Sequence, residues 1–183
     1  MKTIYLLRHA KSSWSDATLD DFERPLGKRG RQAAKEMAKY LAKHKIAPDQ
    51  VLCSSARRTR ETLELVQRGL DAAVPVRFEK GVYMAEATAL LRRLRRLNDS
   101  LGSVMLVGHN PGLERLALAL VAPAAGSGND AADGLRRNLA AKFPAGALAV
   151  IEAGIEHWHD LAPATARLTA FVRPKDLEPD ARE

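Results

Sequence analysis

Two rhythms of apolar and polar positions run along this chain. Short apolar runs, "TIYLL" at 3–7, "DQVLC" at 49–53 and "SVMLVG" at 103–108, read as buried strands, and "VRF" at 76–78 reads as a shorter one. Between them apolar residues recur at helical spacing. "RQAAKEMAKYLAKH" puts Ala34, Met37, Ala38 and Leu41 on one face, and a helix from near Ser55 turns Ala56, Leu63, Val66 and Leu70 inward. "LLRRLRRLND" sets Leu90, Leu91, Leu94 and Leu97 against Arg92, Arg93, Arg95 and Arg96, and "GLERLALALV" is a strongly apolar helix. Near the end "ALAVIEA" and "ARLTAFV" read as paired strands, with "HWHDL" between them. Strands joined by helices of this length predict an α/β fold: a three-layer α/β/α sandwich with a mainly parallel central sheet. In such sheets ligands bind in the crevice beyond the strand C-termini.

The pattern breaks at 122–146, where "APAAGSGNDAADG" is small and polar and "LRRNLAAK" suits a short helix. We read this as a mobile insertion within one domain spanning 1–174, either a lid or a surface excursion, followed by a frayed charged tail at 175–183. A chain of 183 residues with 46% apolar residues is expected to build one core. One cysteine, Cys53, excludes an intrachain disulfide framework, and no run of about 18 apolar residues suits a membrane span. Arg8 and His9 cut the first apolar run too early for a secretory signal, so a cytoplasmic location is expected.

The net charge of +7 raises nucleic acid as a partner. The Leu/Arg helix nevertheless reads as an amphipathic element with a solvated face, and only 5% of the chain is aromatic, which argues against single-strand binding. No specific nucleic acid is expected. The positive charge instead suits an anionic substrate.

The chemistry gathers at the strand ends. The first strand ends in Arg8-His9, the second in "CSSARR", and the "SVMLVG" strand in "HNPG". If these strands are neighbours, Arg8, His9, Arg58 and His109 converge, and so cationic a crevice makes sense around an anion. Ser54 or Ser55 is a plausible N-cap for the helix bearing Arg58, and Asn110-Pro111 reads as N-cap and first residue of the next. Helix N-termini favour phosphate, and arginine forks match its oxygens.

"LLRHAKSSW", "RPLGKRG", "SSARRTRET" and "VGHNPGLE" together resemble the motifs of the histidine phosphatase superfamily, branch 1, and the chain is similar almost end to end to the SixA-like phosphohistidine phosphatases. The resemblance implies a phosphoglycerate mutase-like fold and a metal-independent phosphatase without cofactor, acting through a phosphohistidine enzyme intermediate. It makes His9 the nucleophile, Arg8 and Arg58 the phosphate clamps, and His109 the residue that completes the pocket. Asn110 and Ser12 are expected as further substrate contacts. Arg58 is preferred to Arg57 because the family's arginine falls four residues after the motif serine, here Ser54. To attack phosphorus, His9 needs one bare ring nitrogen, so its other one should donate to a backbone carbonyl or a carboxylate. Larger members carry a glutamate acid where this chain aligns Ala85 within "FEKGVYMAE". Glu79 and Glu86 are nearby, and Asp16, Asp20, Asp21 and Glu23 form an acidic loop that could supply an acid instead. Without an acid, a phosphorylated imidazole is the easier substrate.

The expected substrate is therefore phosphohistidine of a protein. A phosphomonoesterase on a small metabolite or nucleotide, or a non-catalytic phosphate-recognition module, is the alternative, and a monomer is favoured. A cysteine phosphatase fails on spacing, since five residues after Cys53 the arginine position holds Thr59. A metal hydrolase lacks its ligand set. His157 and His159 are read as structural residues sharing one strand face, and His44 as a helix C-terminal residue.

Overall fold

The alternation in the central strands decides which helices lie on which face. In the computed structural model, which describes residues 1–71, 73–123 and 130–178, the strands are β1 (Lys2–Arg8), β2 (Gln50–Ser54), β3 (Val76–Glu79), β4 (Ser103–Gly108), β5 (Leu148–Ala153) and β6 (Ala166–Val172). The helices are α1 (Lys28–Lys43), α2 (Arg57–Val66), α3 (Ala87–Leu94), α4 (Gly112–Leu120), α5 (Asp130–Ala141) and the single turn α6 (Pro174–Leu177).

Ile4, Leu6, Val104 and Leu106 point to one face, where they meet residues of α3, α4 and α5 such as Leu94, Leu116 and Leu139. Leu7, Met105 and Val107 point to the other, against Met37 and Leu41 of α1 and Leu63 and Val66 of α2. Side chains alternate across a strand, so each strand feeds both layers. The sheet order is β3-β2-β4-β1-β5-β6. β1 to β4 are mutually parallel, while β5 runs antiparallel to β1 and pairs with β6 as a hairpin. This is the expected α/β/α sandwich.

Several local expectations are corrected. α2 begins at Arg57 with Ala56 at its cap position, so no side chain caps it, and the Ser54 hydroxyl, two residues earlier, takes the Ala56 N–H and meets His109. α4 begins at Gly112 with Pro111 before it, and the Asn110 amide bonds elsewhere. The Leu/Arg helix ends at Leu94, so Arg95 and Arg96 lie beyond it, and Arg93 is paired with Glu79 at 2.7 Å rather than solvated. His157 and His159 sit in and before the 3-10 turn Trp158–Asp160, not on a strand, because buried Trp158 pulls this loop onto the core.

Part of the expected insertion, residues 124–129, lies outside the described residues. Its remainder includes α5, with Leu139 and Phe143 fully buried, so the end of this segment is packed into the core. No described helix is long and apolar enough to cross a membrane.

Candidate active site

Register brings the predicted residues together. Arg8 of β1 lies abreast of Gly108 of β4, and Cys53 of β2 abreast of Val107, so three parallel strands finish in line. His9 and His109 each follow directly on a strand, and their rings stand 5.3 Å apart between centroids. Arg58 reaches the same crevice from the first turn of α2, its side chain only 4% exposed.

The chain holds His9 from three sides. Its N–H donates to the Gly108 carbonyl (3.1 Å), its carbonyl accepts from the Gly146 N–H (2.9 Å), and the next N–H, of Ala10, donates to the Thr62 hydroxyl (3.0 Å). Gly146 has φ +80, a left-handed conformation that favours glycine, and a Cβ there would stand 3.1 Å from Pro174. Within the ring, Nδ1 lies 2.7 Å from the Ala10 carbonyl, an acceptor only, so Nδ1 carries the proton and Nε2 keeps its lone pair. The partner anticipated for the nucleophile's ring is thus a backbone carbonyl.

Around it are polar atoms without partners. Arg8 donates from Nη1 to the Phe143 carbonyl at 2.9 Å, while its buried Nε has no partner. His109 Nε2 lies 2.7 Å from Ser54 Oγ, whose oxygen also accepts from the Ala56 N–H. A hydroxyl has one proton and two lone pairs, so this contact fits either tautomer of His109, whose buried Nδ1 has no partner. Asn110 donates from Nδ2 to the Phe143 carbonyl (2.9 Å), the same oxygen that Arg8 uses, and its buried Oδ1 is unpartnered. The crevice therefore contains unpartnered buried polar atoms, and among them the Arg8 Nε–H is a donor of the type that an oxyanion accepts.

Electrostatics keep the two imidazoles neutral. Burial, then the charges of Arg58, Arg8 and Arg24, push His9 down to about 4 against the pull of its bond to Ala10. Burial, then His9, Arg58 and Arg8, push His109 down to about 3, with Asp21 opposing. Both are ordinary histidines near 6.5 in the unfolded chain, so between these values the unfolded state binds more protons. Stability should be full above pH 6.5 and decline as pH falls toward 4, by about 3 kcal/mol from His9 alone. Urea unfolding at pH 7, 6 and 5 is expected to show this decline, reduced in His9→Asn. A profile that is equally steep in the variant contradicts the assignment.

The other predicted residues are more scattered. Ser12 has its hydroxyl engaged by Arg24 Nη2. Arg57 is half exposed and pairs with Glu61 at 2.9 Å. Glu79 is held by Arg93, and Glu86 is 70% exposed beside Arg115, so neither is poised in the crevice. Ala85 packs against the start of α4, its carbonyl so close that a Cβ on Gly112 would stand 1.9 Å from it. Of the acidic loop, Asp21 alone has its carboxylate on Arg58, at 3.0 Å. Ser54, Tyr83, Arg24 and the Phe143 carbonyl complete the site without having been anticipated. Tyr83 stands edge-on to His109 with ring centroids 5.3 Å apart. Cys53 is fully buried in β2, where burial pushes its thiol up to about 12, unsuited to a thiolate nucleophile. No group of three or more metal-ligating side chains occurs among the described residues.

Residues 4–83 match the histidine phosphatase superfamily (branch 1). An uncharacterized protein of Mycobacterium tuberculosis is 36% identical over 169 residues, covering 92% of this chain and all of that protein. A crystal structure from Agrobacterium tumefaciens, assigned as a phosphohistidine phosphatase SixA, is 31% identical with a TM-score of 0.76, over 94% of this chain and 98% of that one. The protein histidine phosphatase SixA complexed with tungstate shares the fold at 20% identity and a TM-score of 0.74, over 96% of this chain and 99% of that one. With a near-complete match above 30% identity and the family's motif residues meeting at one strand edge, the chain belongs to the histidine phosphatase superfamily, branch 1, in its SixA-like form.

Proposed function

We propose that the protein hydrolyses phosphohistidine on a partner protein by way of a phosphorylated His9. The observation that carries this reading is the His9 ring, with Nδ1–H donated to the Ala10 carbonyl and Nε2 left basic beside the unpartnered Arg8 Nε and His109 Nδ1. In the first step Nε2 attacks phosphorus in line, the bond from phosphorus to the substrate imidazole breaks, and that nitrogen takes a proton from solvent. Arg8, Arg58 and His109 offset charge on the equatorial oxygens. In the second step water attacks the phosphorylated His9, releasing inorganic phosphate and restoring the neutral ring.

The substrate class follows from the leaving group. An alkoxide needs a proton delivered as it leaves, and the position where larger relatives keep a glutamate holds Ala85, which has no proton to give. Asp21 carries hydrogen bonds from Tyr83 and Arg58 and the charges of Arg58 and Arg24, which outweigh its partial burial and keep it below the usual carboxylate range. It is therefore ionised at neutral pH and is no acid. An imidazole leaving nitrogen is protonated readily by water. The SixA assignment of the Agrobacterium relative supports the same substrate.

Phosphate release from a phosphohistidine protein and from a phosphoserine peptide, measured side by side, tests this. The expected ratio of kcat/KM exceeds about 10²-fold, the scale of one lost general acid. Equal rates would mean that an acid serves the ester and that phosphohistidine is not the preferred class.

A further inference from the structure

Asp21 lies outside the strand-end motifs, yet it has the most partners of any acid in the crevice. It opens the 3-10 turn Asp21–Glu23, which Asp20 caps by accepting from the Glu23 N–H at 3.1 Å. Its carboxylate accepts from Arg58 Nη2 (3.0 Å), Arg24 Nη1 (3.0 Å) and the Tyr83 hydroxyl (2.5 Å). Its carbonyl accepts from Arg58 Nη1 at 2.6 Å. Main chain and side chain of one residue thus grip both terminal nitrogens of Arg58.

A guanidinium has five N–H groups in a rigid plane. The grip takes one from each terminal nitrogen, and the other three, Nε–H among them, are left for a second anion. Met84 Sδ, 3.8 Å from Nη2, is a weak neighbour that an oxygen would displace. Arg24 is pinned in turn by Ser12 and the Ser13 carbonyl, and its guanidinium stacks on Trp14 at 3.2 Å from the ring centroid. Phe22 packs edge-on against Tyr83, their ring centroids 5.0 Å apart. The turn is therefore braced on both sides of Asp21.

We infer that Asp21 is a positioning residue, which clamps the end of the Arg58 fork through its carboxylate and carbonyl so that the remaining N–H groups meet the phosphate. The inference rests on the phosphatase reading above. A clamp and a competitor differ in sign. A carboxylate that stands in the phosphate's place tightens phosphate binding when removed, whereas removal of a clamp weakens it, since Arg58 then spends ordering entropy on each binding event.

The test is calorimetric binding of inorganic phosphate at pH 7 to wild type, Asp21→Ala, Asp21→Asn, Arg58→Lys and the Asp21→Ala/Arg58→Lys double variant. The Asp21 side chain is 46% exposed, so these variants are expected to fold, and thermal melting checks it. We expect Asp21→Ala to bind phosphate about tenfold more weakly, the scale of one charge-assisted hydrogen bond. Asp21→Asn, which keeps an acceptor for Arg58, should recover part of the loss. The double variant should be no weaker than Arg58→Lys alone, because Asp21 acts through that guanidinium. Unchanged or tighter binding in Asp21→Ala, or losses that multiply in the double variant, would overturn the inference. Wild-type affinity in Arg58→Lys would overturn the phosphate pocket itself, and the inference with it.

Discussion

Alanine at position 9 is expected to lower kcat on a phosphohistidine protein by roughly 10⁴-fold or more, as loss of a covalent nucleophile does in other enzymes. The argument rests on reach and protonation. His9 is 8% exposed, at the end of the strand that lies at the centre of the site, and its Nδ1 proton is committed to the Ala10 carbonyl. Burial holds the ring neutral down to about pH 4, so its nucleophilic form dominates across the physiological range. Two other side chains near it that could attack phosphorus are less suited. Cys53 is buried as a thiol, and His109 Nε2 faces the Ser54 hydroxyl. Phosphate binding should survive in His9→Ala, because the arginines proposed to hold the oxygens remain. A variant that lost binding together with turnover would point to a misfolded strand end.

Arg58→Ala is expected to cost about 10³-fold in kcat/KM. In the proposed mechanism Arg58 supplies its side-on N–H groups to charge that spreads over the phosphoryl oxygens, and donors of this kind are worth about 3–4 kcal/mol in a water-excluded site. Arg58→Lys keeps the charge but not the fork, so it should recover only part of the rate. Asp21 remains bonded to Arg24 and Tyr83 in either variant, which limits any change in stability. Steady-state rates against enzyme concentration, with circular dichroism melts, separate the two effects. A fall below tenfold in a folded Arg58→Ala enzyme would remove Arg58 from the transition state.

Much of this site was legible because it depends on strand ends. Arg8, His9 and His109 each follow an apolar run, and parallel neighbours with matched lengths bring such residues to one edge without further information. Arg58 needed only the helix that follows "CSSA". What the sequence could not show are contacts between segments distant along the chain. The Phe143 carbonyl that joins Arg8 to Asn110 comes from 135 residues beyond Arg8. Asp21 was one of four loop acids with nothing to set it apart. Arg24, Arg58 and Tyr83 single it out only in the fold, since Glu23 lies closer to "RPL" in sequence.

The cap predictions failed for one shared reason. Ser54 and Asn110 are good N-cap residues by type, but each falls short of the cap position, which Ala56 and Pro111 occupy, and each side chain bonds in the crevice, the serine with His109 as well as the Ala56 N–H and the asparagine with the Phe143 carbonyl and Glu114. Similarly His157 and His159 look alternate in sequence, yet Trp158 between them is wholly buried and bends the segment into a turn. Local propensity yielded to tertiary packing in each case.

The most direct test of the central claim is a rapid-quench experiment with enzyme in excess over a protein labelled with ³²P on histidine. The reading predicts that label appears on the enzyme before inorganic phosphate does, survives alkali, is lost in acid, and maps to Nε2 of His9. Inorganic phosphate released with no labelled enzyme at any time, or label on another residue, would contradict it.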